Sequence, residues 1–122
     1  MQRLFALRGA NTVERNDAPS ILAATDRLMR ELMARNGLAP GAMVSCIFTL
    51  TDDLNAEFPA VAARAIGLDA VPLLCTREVP VPGSLPSVIR VLVHYYAPED
   101  HVAEHVYLGE AQVLRRDLNS AQ

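Results

Sequence analysis

Glu78 and Arg90 interrupt two strand-like segments that are otherwise strongly apolar, VPLLCTREV and VIRVLV. A charge on a half-buried strand needs a partner of opposite sign or a hydrogen-bonded place beside a pocket. Two readings follow: a mutual ion pair or solvent exposure on the outer face of a sheet, or a polar cluster lining a ligand cavity. Arg8, just before Gly9, and Arg64 carry the same pair of readings, because a guanidinium that is ordinary on a surface also binds a carboxylate through two parallel N–H groups. All eleven cationic residues are arginine, and none is lysine. Arginine as a residue type therefore carries less weight here than its position.

Cys75 has the type of a nucleophile, since a thiolate beside a cation is activated, but no histidine accompanies it in the local sequence. A packed or ligand-facing thiol fits better. With Cys46 it forms no spaced framework, so both cysteines are expected as reduced thiols. His101, Glu104 and His105 spell HVAEH, the H-x-x-E-H order of inverted zinc peptidases. That chemistry needs both histidines on one helical face and a further ligand from elsewhere. The VYL that follows His105 is strand-like, which favours a surface loop leading into a strand.

These residues need elements to hold them. Arg3 to Arg8 alternates loosely and then meets Gly9, predicting a strand that ends at the loop RGANTVERND. From about Pro19 to Asn36, apolar residues recur at helical spacing from Ile21 to Met33, with Asp26, Arg30 and Arg35 on the other side. Asp17 or a neighbour is the expected N-cap and Gly37 the expected stop. Ala42 to Thr51 is nearly unbroken apolar sequence, predicting a strand buried on both faces. A short helix fits Phe58 to Ile66, with Pro59 in its first turn. Val71 to Val79 and Val88 to Tyr96 predict two more strands around PVPGSLPS, and HVYLGEAQVLRRDL begins as a short strand. The order strand, helix, strand, helix, strand, strand, short strand implies an α+β (α/β-like) fold, a mixed sheet with helices on one face.

The 122 residues, 51% of them hydrophobic and 20% charged, fit one folded domain spanning 1–122, with a polar, mobile tail expected over 116–122. A net charge of -3 argues against broad nucleic-acid binding, which needs a basic stripe. The longest apolar runs fall far short of the roughly 20 residues that span a bilayer. The start MQRLFALRGA lacks a long apolar core with a small-residue cleavage site, so no signal peptide is read and the cytoplasm is the expected compartment.

Four stretches carry a family resemblance. LRGANTVERND resembles the RGATTVE-type opening of the monofunctional trimeric pseudo-α/β-barrel chorismate mutases. DLNAEFPAVAAR resembles their D-L-x-A-x-F-P-A-x-A-x-R stretch, and VPLLCTREVPVPGSLPSVIRVLV their V-P-x-x-C-x-x-E…G-x-L-x-x-x-I-R-V stretch. HVYLGEAQVLRRDL resembles their terminal H-V-Y-L-x-x-A/V-x-x-L-R-x-D-L. The four are collinear at matching separations over nearly the whole chain.

The resemblance implies a homotrimer forming a pseudo-α/β-barrel, with active sites between subunits, that rearranges chorismate to prephenate in phenylalanine and tyrosine biosynthesis without metal or cofactor. It implies catalytic roles for Arg90, Glu78 and Arg8. It implies substrate contacts from Cys75, Tyr107, Arg64, Phe58, Ala60, Leu73, Leu74, Leu114 and Arg115. Two positions depart from relatives: Val61 stands where some carry a lysine near the site, and Leu74 where a threonine occurs. Trimers of similar shape include Rid-like imine deaminases and small-ligand-binding modules, and turnover of chorismate separates those classes from a mutase.

Overall fold

Asp17 starts the long helix and Gly37 stops it. In the computed structural model, which describes residues 1–114, the Asp17 side chain accepts from the Ser20 N–H at 2.8 Å, satisfying a donor that the helix itself leaves unpaired. Gly37 takes φ 56° and returns its N–H to the last turn, a left-handed conformation open to a residue without Cβ. Between them lies α1, Ala18–Asn36, whose buried stripe includes Ile21, Leu28, Met29 and Leu32. The second helix, α2, spans Pro59–Ala65.

The strands are β1 (Gln2–Thr12), β2 (Met43–Leu50), β3 (Leu73–Arg77), β4 (Val88–Pro98) and β5 (Val106–Tyr107). They form one sheet in the order β3-β2-β4-β1-β5. β4 runs antiparallel to β1 and β2, whereas β2–β3 and β1–β5 are parallel pairs. The helices bury one face of this sheet. Leu7, Cys46, Phe48, Val91, Val93 and Tyr95 from the strands share a core with Ile21, Leu28, Met29 and Leu32 of α1 and Ala63 of α2.

The mixed sheet, the helices on one face and the order of the main elements agree with the sequence reading, with boundaries shifted by one to three residues at most ends. Short 3-10 turns at Pro40–Ala42, Leu68–Ala70 and Gly109–Ala111 add to it. Two expectations are corrected. β1 does not stop at Gly9 but runs to Thr12, because Gly9 is a place of close approach rather than a turn. A Cβ built there would lie 3.2 Å from Leu28 Cδ1, Leu32 Cδ1 and the Val106 carbonyl. β2 is covered on one face only: Met43, Cys46, Phe48 and Leu50 are buried while Ser45, Ile47 and Thr49 remain half-exposed.

Arg115 and the 116–122 tail lie outside the described residues. Among the described residues, no helix is long and apolar enough to cross a membrane.

Candidate active site

Strand register decides which side chains meet on the face opposite the helices. Directly paired residues point to the same side of a sheet, and successive residues to opposite sides. Across the sheet, Tyr107, Ala10, Arg90, Thr49 and Thr76 form one row. Two residues along the strands, Arg8, Leu92, Ile47 and Leu74 form the next. Between these rows the intervening row, Val106, Gly9, Val91, Phe48 and Cys75, turns to the helices.

Over the two open-face rows lies a cavity of about 580 Å³ whose lining includes Arg8, Thr49, Glu78, Arg90, Tyr107 and Leu114. Apolar surface from Ile47, Leu92 and Leu114 surrounds a few converging polar groups, the usual make-up of a small-molecule site. Glu78 enters just beyond β3. Its N–H donates to the Leu50 carbonyl at 2.9 Å, and its Oε2 accepts a short hydrogen bond from the Thr49 hydroxyl. Its Oε1 lies 3.6 Å from Arg90 Nε, so the two charges face each other without the 2.7–2.9 Å contact of a fully formed charge-assisted hydrogen bond. Of the two side chains, Glu78 is 22% exposed and Arg90 47%. Both readings of this pair therefore hold together: it is an ion pair, and it lines a cavity.

The start of β4, which carries Arg90, is fixed by the loop after β2. Asp53 accepts from the Ser87 N–H and hydroxyl, both at 2.9 Å, with Ser87 at φ 56° in the left-handed region. The Thr51 hydroxyl accepts from the Val88 N–H at 3.0 Å. Partial burial works to raise the Asp53 carboxyl, but hydrogen bonds from Thr51 and Ser87 outweigh it and hold the group below its ordinary value. On the far side of the cavity, the Leu108 N–H donates to the Ala10 carbonyl at 2.9 Å, which seats β5 and Tyr107 along β1.

The HVAEH stretch lacks the geometry of a zinc helix. Residues 101–105 form no regular element; His101 Nε2 meets the Tyr95 hydroxyl at 2.7 Å, and His105 Nδ1 accepts from the Arg8 N–H at 3.0 Å. Among the described residues, no three His, Cys, Asp or Glu side chains are grouped as a metal ion would need. Both cysteines are free thiols. Burial, followed by the neighbouring Cys75, pushes the Cys46 thiol up to about 12, which leaves it an inert core residue.

Residues 4–118 match the model of the family described as chorismate mutase type I. The chain belongs to the type I chorismate mutases. It is 51% identical to the chorismate mutase AroH of Thermus thermophilus over 95% of this chain and 97% of that protein. It is 40% identical to the chorismate mutase AroH of Bacillus subtilis over 93% of this chain and 91% of that one. Among solved structures, the chorismate mutase from Clostridium thermocellum superposes with a TM-score of 0.84 at 45% identity, covering 89% of this chain and 98% of that one.

In this chorismate mutase the fold brings Arg8, Glu78, Arg90, Tyr107 and Leu114 to one cavity. Leu74 lies on the same open face at the sheet edge, 60% exposed. Leu73 and Cys75 do not join them, because their register with Cys46 and Phe48 turns both side chains toward the helices. Phe58, Ala60 and Arg64 also stand apart. They belong to α2 and its N-cap, on the helix-covered side, where Phe58 is 64% exposed and Ala60 is buried. Thr49, Ile47 and Leu92 line the cavity although the sequence did not single them out. The signal was present in β2, where Ser45, Thr49 and Thr51 alternate with Cys46, Phe48 and Leu50, a period of two hidden inside a mostly apolar run.

Proposed function

We propose that this chain converts chorismate to prephenate in the cavity beneath Arg90, and that Arg90, Glu78 and Arg8 carry the reaction. The rearrangement breaks the ether carbon–oxygen bond while a carbon–carbon bond forms within one molecule, so it needs no nucleophile and no proton relay. What helps it is a held reactive conformer and fixed positive charge at the ether oxygen, which gains negative charge in the transition state. The observation that carries the reading is the convergence of Arg8, Arg90, Tyr107 and Glu78 on one largely apolar cavity. Arg90 donates to the ether oxygen and a carboxylate, Arg8 and Tyr107 bind a carboxylate, and Glu78 accepts from the ring hydroxyl.

The working form is a homotrimer. Leu4, Leu74 and Tyr96 lie exposed on the sheet face that no helix covers, apolar side chains that a partner chain would take out of water. Packing that face between chains forms the pseudo-barrel and lets Phe58, Ala60 and Arg64 of one chain complete the cavity of another. Leu73 and Cys75, whose side chains turn toward the helices of their own chain, are assigned with Arg115 to the substrate site on the family resemblance alone, and the whole of 1–122 acts as one domain. The free thiols suit a reducing compartment, the cytoplasm.

The test is the fall in ultraviolet absorbance of chorismate on adding purified protein, with prephenate checked by acid conversion to phenylpyruvate. Rapid conversion that persists with a chelator supports the reading. No conversion by a folded trimer overturns it in favour of a deaminase or ligand-binding role. Mixing Arg90→Ala with Arg64→Ala subunits then tests the shared site: activity regained on mixing supports it, and none regained opposes it.

A further inference from the structure

The geometry points to Thr49 as a positioning residue of the active site, whose hydroxyl holds the Glu78 carboxylate by one oxygen and so keeps the Arg90 guanidinium available to substrate. This deepens the mutase reading and rests on it. Thr49 is the cross-strand neighbour of Arg90 on the open face, and its side chain lines the same cavity. Its hydroxyl donates to Glu78 Oε2, while the other oxygen, Oε1, faces Arg90 Nε at 3.6 Å.

Chemistry makes that division of the carboxylate matter. An arginine and a glutamate at this range tend toward a fork in which both carboxylate oxygens accept parallel N–H bonds. Such a fork spends on Glu78 the very donors that the developing oxygen charge requires. A carboxylate whose Oε2 is held by the Thr49 hydroxyl keeps acceptor capacity but is turned so that only Oε1 faces Arg90, away from the orientation that closes the fork. Swinging away is also opposed, because the Glu78 N–H is tied to the Leu50 carbonyl at 2.9 Å and the adjoining pocket is lined by the like charges of Asp52 and Asp53. Thr49 therefore fixes both the acceptor for the ring hydroxyl and the spacing of the ion pair.

Thr49→Val keeps the shape and removes the donor; Thr49→Ser keeps the donor. Chorismate kinetics on the full trimer should show kcat/KM lowered roughly tenfold in Thr49→Val, the scale of one hydrogen bond to a charged acceptor. Thr49→Ser should stay within about twofold of the parent. In a Glu78→Gln background, Thr49→Val should add little, since its role passes through Glu78. Equal activity of the Val and Ser variants, or a Val effect of the same size in both backgrounds, overturns the inference. A parent chain that leaves chorismate unchanged would sink the mutase reading instead. The crystal structure of Thr49→Val then still decides the positioning role: both Glu78 oxygens on Arg90 support it, and an unmoved carboxylate refutes it.

Discussion

The two faces of the sheet obey different rules. On the helix-covered face, Leu7, Cys46, Phe48, Val93 and Tyr95 are fully buried, and their work is done by exclusion of water and close packing. On the open face, one residue out of register with them, Arg8, Thr49 and Arg90 stand beside Leu92 and Ile47 around a cavity. One set of strands thus supplies a rigid floor and a reactive surface, and the alternation of side chains keeps the two from competing. A substitution on the covered face should be read as stability, and one on the open face as rate.

The sharpest challenge to that division is Phe48→Ala. It should lower unfolding free energy in urea by about 3–5 kcal/mol, yet leave kcat per folded chain close to the parent. A large fall in kcat with unchanged stability would break the comparison at its centre. Arg90→Ala is the mirror case, expected to cost roughly 2.7–4 kcal/mol of transition-state stabilisation, about 10²–10³ in rate, with an unchanged melting curve. Arg90→Lys should be severely impaired too, because an ammonium lacks the planar fork; near-normal turnover would remove Arg90 from its assigned place.

Gly9→Ala probes the boundary between the faces. Its new methyl meets Leu28, Leu32 and the Val106 carbonyl at 3.2 Å, so overpacking of about 1–3 kcal/mol is expected in denaturant titrations. The smallest effect concerns pH. The side-chain hydrogen bond from Ser20, and then its backbone N–H, hold the Asp17 carboxyl below its ordinary 3.8. A lowered folded value means a contribution present above the unfolded carboxyl's range and lost as pH falls from about 3.8 through the folded value. Asp17→Asn keeps a capping acceptor without the titration, so the acid fall in Tm should flatten over that window. An acid limb identical to the parent's would show that the cap contributes nothing to it.

Much of this was legible in the sequence because local physics decides it. The stripe from Ile21 to Met33, Asp17 before it and Gly37 after it define α1 without reference to anything distant. Glu78 and Arg90 were conspicuous as charges within apolar strands. What was hidden depends on pairing. Gly9 read as the end of a strand because its neighbours across the fold, Leu28 and Leu32, are supplied by a helix. Thr49 became visible as a site residue only once register set it beside Arg90, and the direction of Cys75 only once β3 aligned with Phe48. The resemblance named Phe58 and Arg64 as substrate contacts, but one chain alone leaves them away from the cavity.

The strand order β3-β2-β4-β1-β5 has a bearing on how the molecule is born. The earliest strand, β1, ends up between two of the latest, and the N–H of Arg8 finds His105 97 residues further on. No hairpin can shelter it meanwhile. At a synthesis rate of about 5–20 residues per second, both its hydrogen-bonding edges wait several seconds for β4 and β5. Such distant closure belongs to the slow end of folding, in milliseconds to seconds, and an unpaired edge invites the same edge of another nascent chain. An edge left open for that long must therefore be kept from other copies of itself until β4 and β5 arrive.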